Sequence, residues 1–172
     1  MSECPSTPFF SALEKIKRAI DSLMASLCIL IVAMMVLLVT YQVIARYVFN
    51  AASGMSEVLS RYLFIWLILF SGAYVFGLRG HMSIEYVKQK FPLNIQISFD
   101  MFSELIIVIF ALCVLILGGY SASLRQMWQM DSALQMPMGV IYSAIPISGA
   151  IIVFYFFYNE IKLYRKLKAL NK

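Results

Sequence analysis

The sequence predicts an all-α integral membrane protein: four transmembrane helices, with amphipathic interfacial helices at the N-terminus and in the second loop. Two observations carry that expectation. Of 172 residues, 62% are apolar and only 13% are charged, against roughly a quarter charged in soluble domains. A soluble fold of this length would leave far more apolar side chain exposed than its core could bury. The charges are also widely spaced, leaving uncharged runs of 24 residues (Ser22 to Ala45), 17 (Tyr62 to Leu78), 20 (Leu105 to Leu124) and 28 (Ser132 to Asn159). A helix needs about 20 apolar residues to cross a bilayer, and it satisfies its own backbone hydrogen bonds there. The expected organisation is one membrane domain, 1–172, with spans at about 22–45, 58–78, 105–124 and 139–159 and a tail over 160–172.

Phe9, Leu13, Ile16, Ile20 and Leu23 recur at helical spacing, with Glu14, Lys15, Lys17 and Arg18 on the other face. This predicts an amphipathic interfacial helix over 9–21 that runs into the first span. The first apolar run is too long for a signal-peptide core and no A-x-A site follows it, so it reads as a retained anchor. Ser56 is an N-cap candidate for the second span, and Glu57 suits the positive end of that helix. In the second loop Ser83 can cap a short helix from Ile84 to Phe91 that Pro92 ends. The fourth span is interrupted only by Pro146, and Glu160 to Lys168 continues it beyond the membrane.

Lys and Arg set the orientation. The N-terminal segment, the second loop and the C-terminal tail hold 11 of them, and the first and third loops hold 3. Both termini are therefore expected in the cytoplasm.

The same inventory excludes several chemistries. Cys4, Cys28 and Cys113 form no C-x-x-C, and one His cannot supply paired haem ligands. No metal site and no cofactor are expected. The net charge of +5 is divided among segments flanking apolar runs, which does not suit nucleic acid. No Asp, Glu, Lys, Arg or His lies near the centre of a span, where proton relays and ion sites leave such residues. The two halves show no repeat of the kind that frames transporter binding sites. An enzyme, an autonomous carrier and a channel are all disfavoured against a membrane scaffold or accessory subunit.

The polar residues that stand out lie near span ends. Arg46 closes the first span. Glu57 and Arg61 are four apart at the start of the second and can pair, with Trp66 one turn further on. Glu57 and Arg61 are read either as an interfacial ion pair or as a contact to another subunit. His81 follows the second span and is expected in a turn. Small residues four apart (Ala73 and Gly77, Gly118 and Ala122, Gly119 and Ser123, Ala144 and Ser148) allow close helix approach in lipid.

Several blocks then fall in a telling order: Arg46-Tyr47-Val48-Phe49-Asn50, Ser56-Glu57 with Arg61-Tyr62 and Trp66, Arg79-Gly80-His81-Met82-Ser83-Ile84-Glu85, and Met136-Pro137-Met138-Gly139 with Tyr142 and Pro146. Together they resemble the small membrane subunit, DctQ type, of tripartite ATP-independent periplasmic (TRAP) transporters. The chain departs from the commoner family pattern at Met55, Val58 and Glu85. The resemblance implies a bacterial inner-membrane protein with two protein partners, a large DctM-type membrane subunit and a periplasmic substrate-binding protein, together importing a carboxylate with sodium. The substrate and sodium sites would lie on the partners, and the lipid bilayer would be the third contact. The alternative is an accessory tetraspan subunit of another membrane complex.

Overall fold

A computed structural model describes the backbone of residues 8–50, 54–78 and 93–170, and the side chains of 13–50, 54–78 and 101–163. His81 and the short helix expected over Ile84 to Phe91 lie outside the described residues. The elements are α1 (Pro8–Tyr47), α2 (Gly54–Gly77), α3 (Leu93–Phe110), a π-helical stretch (Ala111–Gly118), α4 (Gly119–Gln126), α5 (Met138–Tyr142) and α6 (Ala144–Leu170). Among the described residues, four helices are long and apolar enough to cross a membrane: Leu13–Tyr47, Gly54–Gly77, Met101–Gln126 and Met138–Leu163.

The N-terminal segment runs without a break into the first span, and α1 is a single 40-residue helix. At 1.5 Å per residue it is about 60 Å long, twice the ~30 Å hydrocarbon thickness. α2 begins at Gly54, so Ser56 sits inside the helix and is not its N-cap. The Gln42 amide takes the Ser56 carbonyl at 2.7 Å, which fixes this first turn from the neighbouring helix.

From Cys28 to Tyr47 only Cys28, Ile31, Met35, Leu38, Gln42 and Ala45 escape full exposure. The alternating steps of three and four are a heptad seam, the pattern of helices that cross at a shallow angle. That seam lies along α2, with Met24, Ile31 and Phe70 at its centre. α2 in turn packs along α6, and α6 along the third crossing helix, whereas α1 meets α6 at only a few places. The helices thus stand in a row rather than around a common axis. Burial is low throughout: 11% of the apolar stretch in the first and second spans, 17% in the third and 22% in the fourth.

The third and fourth spans approach most closely through small residues. A Cβ on Gly149 would come within 2.8 Å of the Leu115 Cβ, and one on Gly119 within 2.7 Å of Ile145 Cγ2. Ala111 and Ala144 are fully buried at this contact. The π-helical widening falls in the same place, where neighbouring side chains press against the backbone. Pro146 lacks the N–H that would reach Tyr142, and the fourth span is accordingly broken at Ser143 between α5 and α6.

Candidate subunit interface

The bundle has two ends. One carries the end of α1, the start of α2 and the 127–138 connection, and is called the loop end; the other carries the start of α1 and the end of α6. At the loop end the Gln42 side chain bridges α1 and α2, donating also to Ser60 Oγ at 3.3 Å. Asn50, at φ 52°, takes the left-handed conformation that Asn tolerates. The third and fourth spans are joined by a tight turn. Asp131 N–H donates to Met136 O, Gln135 N–H to Asp131 O, and Met138 N–H to Gln129 O. Ser123 Oγ closes the junction by donating to Gly139 O at 2.7 Å.

The sequence candidates distribute as follows. Glu57 and Arg61 pair at 3.4 Å, with side chains 69% and 64% exposed. They head the exposed stripe of α2 that continues through Phe64, Ile65, Ile68, Gly72 and Val75. Arg46 is exposed at the end of α1. All three charges therefore point away from the row of helices. Trp66 does not join them: it is half-buried, edge-on to Phe70 at 5.5 Å, and belongs to the α1–α2 core.

Sequence reasoning missed the junction at the opposite end. Tyr155, fully buried, donates its hydroxyl to Asp21 Oδ1 at 2.7 Å. Lys17 Nζ pairs with Asp21 Oδ2 at 2.6 Å, and its ammonium lies 5.9 Å and 5.6 Å from the ring centroids of Tyr155 and Tyr158. Gly77 completes the contact, since a Cβ there would fall 2.6 Å from the Tyr155 ring. Three helices meet at one tyrosine, and the charged groups inside satisfy one another.

Among the described residues, the loop end offers no site for a charged solute. An apolar cavity of about 230 Å³ lies at the loop end among Leu59, Leu63, Trp66, Leu134, Met136 and Ile141. Its walls offer an anion no hydrogen bond, and burying a charge there would be costly. Among the described residues, no group of three or more His, Cys, Asp or Glu could hold a metal ion. The outward charges and the broad apolar surface suit contact with lipid or protein instead.

Comparison with known proteins agrees. Residues 35–166 match the family described as tripartite ATP-independent periplasmic transporters, DctQ component. The chain belongs to the DctQ family. Two TRAP transporter small permease proteins of Haemophilus influenzae are similar to it. One is 28% identical over 158 residues, covering 83% of this chain and 95% of the relative. The other is 27% identical, covering 88% and 92%. The sialic acid TRAP transporter small permease protein SiaQ of Vibrio cholerae is 22% identical over 142 residues, covering 83% of this chain and 82% of the relative. DctQ proteins are components of TRAP transporters, and this one is a multi-pass membrane protein.

The exposure of the Glu57–Arg61 pair makes a sharp prediction for this DctQ subunit. A pair so exposed contributes about 0–1 kcal/mol to the fold of the chain itself. Arg61→Ala should therefore leave the melting temperature of the isolated subunit nearly unchanged. If Arg61 contacts another subunit, the same variant should lower the yield of the assembled complex several-fold, read by co-purification. The charge swap Glu57→Arg with Arg61→Glu should restore the pair but not the yield. Normal assembly of Arg61→Ala would reduce the pair to an interfacial anchor.

Proposed function

We propose that this chain is the small scaffold subunit of a sodium-driven TRAP transporter in the bacterial inner membrane. It works with a large DctM-type permease and a periplasmic binding protein to import a carboxylate substrate. The observation that carries the reading is the row of four helices, which among the described residues holds no cluster of ionisable groups in its membrane-level interior and turns its apolar width outward. A closed bundle hides its helices from lipid, whereas a row adds breadth to a neighbour. Such a subunit widens the fixed part of a carrier against which the moving part works. The name of the Vibrio cholerae relative supports a carboxylate, since sialic acid carries one. Both termini face the cytoplasm in this reading, as the 11-to-3 division of Lys and Arg requires.

Two linked results test it. Co-expressed with the large permease, the chain should co-purify with it through size exclusion in mild detergent. Single cysteines at positions 15, 88 and 168 should react only with reagents that reach the cytoplasm, and those at 52 and 132 with impermeant periplasmic reagents. Labelling of position 88 from the periplasm would invert the topology, and failure to co-purify would remove the assigned partner.

A further inference from the structure

The junction at Tyr155 fixes the beginning of α1 beside the end of α6, and both carry basic residues. Lys15 and Arg18 are exposed on α1, and Lys162 is exposed on α6. Arg165, Lys166 and Lys168 follow on the same helix. Among the described residues, the acidic groups on these two helix ends are fewer and engaged. Asp21 is held by Lys17 and Tyr155, Glu14 lies 3.9 Å from Arg18, and Glu160 also has a partner. The apolar residues among the basic ones are not all covered either: Ile16 is 49% and Leu23 60% exposed.

Helix lengths place this rim at headgroup level. Counting about 20 residues of hydrocarbon from the loop end, α1 leaves the apolar layer near Ala25 and α6 near Tyr158. Arg18 and Lys162 lie one to two turns beyond, within reach of lipid phosphates for long side chains that snorkel. Lys15 lies one turn further along α1. Leu23 lies at the acyl boundary. Basic residues beside exposed apolar ones at this depth match an anionic lipid, with phosphate against the cations and hydrocarbon against the side chains.

We propose that the rim formed by Lys15, Arg18 and Lys162 binds anionic phospholipid in preference to zwitterionic lipid. The inference needs only the membrane placement and not the transport reading, so the two can fail separately. The Tyr155 junction holds the two halves of the rim together. Lys17 takes no part, because it is occupied with Asp21.

The test uses the full chain purified from detergent and re-exposed to mixed micelles of phosphatidylglycerol and phosphatidylcholine. Native mass spectrometry then reads the ratio of the two lipids retained. Wild type should retain phosphatidylglycerol preferentially. The triple variant Lys15→Ser, Arg18→Ser, Lys162→Ser should lower that ratio at least tenfold with its melting temperature unchanged. The double variant Arg46→Ser, Arg125→Ser, at the other end, should leave the ratio as in wild type. A triple variant that keeps the wild-type ratio would overturn the proposal. So would an equal loss in the double variant, which would reduce the effect to net charge.

Discussion

Gly139→Val should leave little folded protein in the membrane. A Cβ at position 139 would lie 2.6 Å from the backbone oxygen of Ser123 and 2.7 Å from Met127 Cγ. The methionine can move, but the helix backbone cannot without parting the third and fourth spans. The displacement would also strain the Ser123 hydroxyl bond to Gly139 O. Overpacking of this kind costs about 1–3 kcal/mol, and a lost buried hydrogen bond adds about 1 kcal/mol. In a chain of this size that amounts to a drop in melting temperature of roughly 5–15 °C. Gly139→Ala should fall part-way. Gly72→Ala is the control, because nothing lies within 4 Å of a Cβ there. It should be neutral or mildly stabilising by helix propensity. Fluorescence-detected size exclusion after heating would rank the three variants, and wild-type behaviour in Gly139→Val would contradict the contact.

The second large effect belongs to the Tyr155 junction. Tyr155→Phe keeps the ring but leaves Asp21 Oδ1 without its hydroxyl donor, at a cost of about 1–3 kcal/mol for a half-buried hydrogen bond to a charged group. Gly77→Leu should act more strongly, since its branched side chain would have to displace a buried ring that is fixed at its hydroxyl. The two variants should be non-additive, because they disturb one contact. Asp21→Asn in the Tyr155→Phe background should cost less than in wild type, a coupling that a double-mutant cycle on melting temperature would read. Strict additivity would mean that the junction is not a unit.

These contacts differ in how far the sequence announced them. The spans were legible because charge is costly in hydrocarbon and its absence is a strong signal. Gly77, Gly119, Ser123, Ala144 and Ser148 were legible as close-approach residues, and all five are buried between helices. Gly118, chosen by the same rule, is exposed, with only a carbonyl at 3.7 Å. Spacing alone cannot say which side of a helix has a neighbour. The α1 seam was hidden for a related reason: its buried Ile31 and its exposed Leu37, at 71%, are equally apolar. Lipid removes the contrast that marks the inner face of a soluble helix. Nor could Asp21 and Tyr155 be paired by eye, since 134 residues separate them and no periodicity joins them. Of the candidate interface, the residue types at the span ends were readable. That Glu57 and Arg61 face outward while Trp66 turns inward required the packing of α1 on α2.

Reconstituted transport tests the central claim most directly. Proteoliposomes would carry this chain, the large permease or both. The binding protein would be loaded with a radiolabelled carboxylate and a sodium gradient imposed. The account predicts uptake only when all three proteins are present, and none above background from this chain with the binding protein alone. Undiminished uptake by the permease and binding protein without this chain, or substrate-specific uptake by this chain without the permease, would contradict it.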